Sequence, residues 1–310
     1  MTAAPIPATV PKVGPVRTTK LPAVAERTLD TGLRVLAVRK PGIPMVQARL
    51  VLPAPRPKAT GSDRAKQLVL AETLLSGTQH RDSVEVAEAL QRMGGTLDAG
   101  IDSEDVRVRG SALSPSLPDL LALMGEVLAE PAFPKGEVAI ERARKVQEVL
   151  LQRAEPAVLA RAALKHRLFG DHPYAGGLPD PEAVAGVTAA DLRNYFKSRV
   201  TAQGGLLVLV GDLRPAKALD AAEAALGSWT GATAGRPLPS LPAIVPGPIV
   251  LIDRPGAAQS NVRIAGPALT RQEAGLPALL LANMIFGGYF SSRLVENIRE
   301  NKGYTYSPRS

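Results

Sequence analysis

Cysteine is absent from the 310 residues, histidine occurs three times, and aromatic side chains make up 4% of the chain. Without thiols there is no disulfide, no cysteine nucleophile and no thiolate zinc or iron–sulfur site. His80, His166 and His172 leave little from which to build a His-rich metal site. The scarcity of aromatics argues against a base-stacking platform, and hence against nucleic acid as a partner. No run of 18 apolar residues occurs, which reads as the absence of a transmembrane segment. Long basic runs are also missing, although 37 Lys+Arg against 29 Asp+Glu give a net charge of +8. The densest group, Arg142, Arg144 and Lys145, shares its stretch with Glu137, Glu141 and Glu148. The excess charge therefore reads as an arginine-rich surface, with steering of acidic peptides or attraction to a membrane surface as the alternative.

What is present is ordinary globular composition, 45% hydrophobic and 21% charged, at a length suited to roughly two domains. Residues 1–22, MTAAPIPATVPKVGPVRTTKLP, are proline-rich and contain no apolar signal-peptide core. They read as an extended arm, or as what remains after a presequence is removed.

From residue 23 to 228 the pattern is regular. TLDTGLRVLAVRK and PMVQARLVL predict a hairpin and a longer strand, punctuated at Thr31-Gly32 and Pro41-Gly42. Residues 63–76 predict an amphipathic helix stopping at Gly77, and Ser83 reads as the cap of a second helix reaching Met93. TLDAGID and SEDVRVRGSAL predict paired strands, followed by helices over 114–129 and 135–168, the latter broken at Pro156. Thr188 opens a helix to Ser198, GGLLVLVGD is a buried strand, and 214–227 is a last helix. This order predicts an α+β domain, a largely antiparallel sheet covered by helices. Residues 229–247, WTGATAGRPLPSLPAIVPG, have linker composition. Past them the pattern restarts with predicted strands at PIVLIDRP and QSNVRIAGPA and a helix over 271–286, so 248–310 reads as the first part of a second domain.

Three stretches together resemble the pitrilysin/insulinase metallopeptidases, the inverzincins, in their bacterial, mitochondrial-processing-peptidase-like branch. They are TLDTGLRVLAVRK, HPYAGGLPDPEAVAGVTAADLRNYFKSRVTAQGGLLVLVGDL and FGGYFSSRLVENIRENKGYTYS. The resemblance covers about residues 27–310 and implies two domains of one metallopeptidase type, the second incomplete here.

The family's zinc motif is H-x-x-E-H on a helix, where the spacing puts both ligands and the catalytic carboxylate on one face. Registered on Gly77-Thr78, which resembles the Gly-Thr following that motif, this chain has Leu68, Ala71 and Glu72 at the three positions. The distal ligand has a counterpart in Glu148. Leu and Ala cannot ligate and two carboxylates make a poor zinc site, so these are vestigial positions: Glu72 and Glu148 are expected to be neutralised by nearby arginines, with a weak cation as the alternative. No metal is expected on this chain. His172 is expected to pack or hydrogen-bond.

The resemblance implies that Arg299 and Tyr306, spaced R-x6-Y, reach substrate and offer donors to a scissile carbonyl or developing oxyanion. Tyr304 competes for the tyrosine role, and a plain surface pairing of Arg299 with Glu296 or Glu300 is the alternative. Asp98 and Ala99 lie where the family lays peptide along an edge strand. Gly287-Gly288 lacks the Lys-Ser/Thr of a phosphate loop, and Ser291-Ser292 lacks a nucleophile context. The resemblance thus implies a metal-less subunit of a heterodimeric peptidase. Its partner would carry H-x-x-E-H and zinc, its substrates would be short unfolded peptides, and its location would be the bacterial periplasm. A non-catalytic assembly subunit and a stand-alone peptide-binding protein are the other readings.

Overall fold

Among the described residues, alternating apolar residues in four of six strands bury one face of a single sheet. In the computed structural model, which describes residues 14–15, 20–54, 61–232 and 238–310, the strands are β1 (Val24–Thr28), β2 (Arg34–Arg39), β3 (Met45–Pro53), β4 (Thr96–Ile101), β5 (Asp105–Leu113) and β6 (Leu206–Gly211). Most of the arm expected at 1–22 and the centre of the 229–247 linker lie outside the described residues. The chain divides into two units, Met1–Pro242 and Ala243–Ser310.

The sheet order is β1-β2-β6-β3-β5-β4. All pairings are antiparallel except β2 with β6. Val35, Ala37, Val46, Ala48, Leu50, Leu52, Val106, Val108, Leu207 and Leu209 point inward and are buried. Arg49, Arg107 and Arg109 occupy the other side of the pleat and stay exposed. β4 is an edge strand.

Among the described residues, eight helices accompany this sheet: α1 (Gly61–Thr73), α2 (Ser83–Arg92), α3 (Leu117–Ala129), α4 (Lys135–Ala154), α5 (Pro156–Phe169), α6 (Pro181–Ala185), α7 (Ala189–Arg199) and α8 (Pro215–Leu226). Thr188 caps α7 as expected, its side chain receiving the Asp191 N–H while Asp191 receives the Thr188 N–H. The cap of α2 is Asp82 and not Ser83: its carboxylate accepts from Val84 and Glu85, and Glu85 closes a capping box. The break before Pro156 falls at Glu155, as a residue ahead of proline favours extended backbone. Phe133, between α3 and α4, takes a left-handed φ of 46° and is 1% exposed. Its ring meets Phe196 edge-on at 6.3 Å.

In the second unit the two strands expected within 248–268 do not form. Described residues 243–275 carry neither strand nor helix, and Ile249, Leu251 and Ile264 are 97%, 87% and 91% exposed. A strand needs a ladder partner, and among the described residues of this unit none is present. The helix begins later than expected, as α9 (Leu276–Asn283), and continues as a π-turn over Met284–Gly288. After an extended break, α10 (Arg293–Val295) runs into a second π-turn, Glu296–Asn301. By length and composition alone, Leu276–Asn301 is long and apolar enough for a bilayer. Its helix is interrupted, however: Tyr289 (φ −132°, ψ 155°) and Ser292 (φ −78°, ψ 159°) are extended.

Candidate functional site

α1 and α4 bring the metal-motif positions together. Leu68 packs against the core, Ala71 is half-buried and Glu72 projects to the surface. Facing Glu72, α4 presents Glu141, Arg144, Lys145, Glu148 and Gln152, whose three- and four-residue spacing puts them on one side of the helix. Lys145 Nζ lies 2.7 Å from Glu72 Oε1 and 2.8 Å from Glu148 Oε2. Arg144 reaches the other Glu72 oxygen at 3.0 Å and Glu141 at 2.6 Å, and Gln152 donates to the other Glu148 oxygen at 2.9 Å. Burial alone would push the Glu72 carboxyl up, but Lys145 and Arg144 together outweigh it and hold the group below its ordinary value. Burial likewise opposes the Lys145 ammonium, and the carboxylates of Glu148 and Glu72 more than restore it.

Glu72 and Glu148 are thus joined through one lysine, and the expected arginine neutralisation holds only for Glu72. Among the described residues no group of three or more His, Cys, Asp or Glu side chains is placed to hold a metal ion. Lys145 is the residue that motif reasoning missed; its i,i+3 spacing to Glu148 was the available signal.

Asp98 and Ala99 sit on edge strand β4, paired with Arg109 and Val108. Asp98 is exposed, with Arg109 4.0 Å away, while Ala99 packs on the core. The end of this strand is tied to α1, where Gln67 Nε2 donates to the Asp102 carbonyl at 2.9 Å.

The His-Pro-Tyr loop after α5 is a structural clasp. His172 is 8% exposed. Its Nδ1 accepts the Tyr174 N–H at 3.1 Å and its Nε2 faces the Pro239 carbonyl at 3.0 Å. Both ring nitrogens are therefore engaged, as expected of a packing histidine. Arg64 donates to the Pro173 and Gly177 carbonyls. Tyr174 donates to Glu104 in the β4–β5 turn. That bond, burial and the neighbouring acidic charges push its phenol up to about 12. His166, exposed on α5, lines with Arg64, Phe169, His172 and Pro239 an open cleft of about 1080 Å³. None of the metal-motif positions lines that cleft.

In the second unit Arg299 and Tyr306 do meet. The Arg299 guanidinium carbon lies over both the Tyr306 ring, 4.3 Å from its centre, and the Phe290 ring, 4.8 Å from its centre. Arg299 Nε also pairs with Glu300 at 3.1 Å, the surface contact weighed above. Tyr304 instead stands near Lys302, 5.9 Å from its ammonium. Tyr306 remains 76% exposed. Phe290 was not among the expected site residues; the extended break at Tyr289–Ser292 brings it back onto Arg299.

Two sequence models of one family match the chain: "Insulinase (Peptidase family M16)" over residues 69–182 and "Peptidase M16 inactive domain" over 186–310. An uncharacterized zinc protease of Mycobacterium leprae is 24% identical over 289 residues, covering 92% of this chain and 64% of its own length. A non-peptidase homolog, YmxG, of Helicobacter pylori is 23% identical over 242 residues, covering 77% of this chain and 55% of its own. The chain thus spans less than two thirds of the length of these relatives. The crystal structure of a peptidase M16 inactive domain from Pseudomonas fluorescens superposes with a TM-score of 0.70 at 24% identity, covering 92% of this chain and 69% of that one.

Proposed function

The chain belongs to the peptidase M16 family, the pitrilysin/insulinase group, and from that premise we propose that it is the non-zinc-binding subunit of a heterodimeric zinc metallopeptidase. Its partner carries H-x-x-E-H and the zinc, and the pair encloses short unfolded peptides in the bacterial periplasm. The observation that carries this reading is the assembled Arg299–Tyr306 pair on a chain whose metal-motif positions are Leu68, Ala71 and Glu72. In the proposed role the Arg299 guanidinium orients the scissile carbonyl, and the Tyr306 hydroxyl donates to the oxygen as negative charge develops on it. Both groups gain in strength once peptide excludes water from around them. Phe290 and Glu300 hold Arg299 in place, so little side-chain freedom is lost when substrate arrives. Asp98 and Ala99, at the β4 edge, are the proposed track for the peptide backbone.

The test is to co-express the chain with the H-x-x-E-H homologue of its source organism and assay the complex on unfolded peptides. Arg299→Ala and Tyr306→Phe are each expected to lower kcat by about 10²-fold or more, the typical effect of losing one oxyanion donor. Unchanged activity in both variants overturns the role. A stable complex with unchanged activity identifies an assembly subunit, and peptide binding with no partner identifies a stand-alone binder. Fractionation of the source cell tests the compartment.

A further inference from the structure

Zinc does not fit the donor set found here, and we propose that the Lys145 ammonium takes the cation's place, tying α1 to α4 so that the first unit holds together without a divalent ion. Leu68 and Ala71 offer no donor atom, and what remains of a ligand set is one carboxylate on each helix. Left to themselves, Glu72 and Glu148 would repel across the helix contact. Lys145 Nζ stands between them at 2.7 and 2.8 Å, and the residue is 8% exposed.

The two oxygens that Lys145 leaves are taken as well, one by Arg144 at 3.0 Å and one by Gln152 at 2.9 Å. Each of the four carboxylate oxygens therefore has its own donor. An entering divalent ion would have to displace the ammonium and sit beside a guanidinium. A compact ammonium with three donors suits a position between carboxylates. Being covalently attached, it is immune to chelators and to mass action, which govern a bound metal. The inference concerns the first unit alone and stands or falls separately from the role proposed for Arg299 and Tyr306.

The experiment compares the full-length chain with two variants: Lys145→Met, and the triple change Glu72→Gln, Lys145→Met, Glu148→Gln. Metal content and thermal melting are measured with EDTA, with zinc chloride and with neither. Wild type is expected to purify without stoichiometric zinc and to melt at one temperature under all three conditions. Lys145→Met is expected to melt about 2–4 °C lower, because Glu72 and Glu148 each lose a charged donor and face each other unscreened. The triple variant, with no charge left to strand, is expected to regain most of that loss. Stoichiometric zinc in wild type, or a fall in its melting point with EDTA, overturns the proposal. So does a Lys145→Met protein as stable as wild type. Should Lys145→Met fail to fold, the triple variant decides: folding near the wild-type temperature supports the proposal, and failure overturns it by assigning the loss to packing.

Discussion

Gly125 in α3 offers a case in which two familiar rules give opposite signs. Helix propensity alone says that Gly→Ala stabilises a helix interior by about 1 kcal/mol. A Cβ at Gly125, however, would lie 2.3 Å from the Ala225 carbonyl oxygen of α8 and 3.2 Å from its carbonyl carbon. Relieving that overlap requires the helices to part by about 1 Å, and the obstructing atom is backbone, with no rotamer to yield. α8 is itself anchored by Ala218, Leu219, Ala222 and Leu226, all buried, and a Leu226 methyl already lies 3.7 Å from the added Cβ. Overpacking against so fixed a neighbour belongs at the upper end of its range, about 3 kcal/mol. The net expectation for Gly125→Ala is therefore a loss of about 2 kcal/mol, or roughly 4–8 °C in melting temperature for a unit of this size. Gly136, in the first turn of α4, is the control: a Cβ there meets nothing within 4 Å, so Gly136→Ala should gain about 0.5–1 kcal/mol. Thermal melts of both proteins by circular dichroism give the answer. A Gly125→Ala protein that melts above wild type would refute the close-approach argument.

Tyr174 supplies a pH prediction. Its folded-state value, pushed up to about 12 from an ordinary value near 10, means that the Glu104 bond adds stability below about pH 10 and loses it as pH rises toward 12. Ultraviolet titration should show a late-ionising phenol in wild type that Tyr174→Phe lacks, and the same variant should flatten the decline in melting temperature between pH 10 and 12. Asp82→Ala removes the capping box of α2 and should cost about 1 kcal/mol, read as a melting point roughly 2–4 °C lower; a loss from Ser83→Ala as large as that from Asp82→Ala would contradict the cap assignment.

What the sequence revealed was whatever depends on near neighbours. Pro156 ends one helix and starts another, Thr188 and Asp191 cap α7 three residues apart, and alternation in β3 and β5 names the inward side chains. The metal-motif positions were legible in the same way, through helical spacing. The lysine that answers Glu72 was not, because it comes from a helix far along the chain and looked like one more surface charge. The Phe290 face of Arg299 was hidden for another reason: it depends on the extended backbone at Tyr289, past the end of the helix expected over 271–286. The missing strands of the second unit show the limit of pattern reading itself. Alternation around Ile249 and Ile264 marks residues able to form strands, but a strand exists only where another lies beside it.

Finally, β6 lies between β2 and β3 although it follows them by most of the first unit. Until Leu206–Gly211 arrives, β1–β2 and β3–β5–β4 are two ribbons, each with one bare central edge. On the ribosome those edges wait through the synthesis of seven helices, a long interval for unpaired, apolar strands at risk of pairing with a neighbouring chain. The demand for a chaperone or for early helix cover during translation is thus written into the order of the strands.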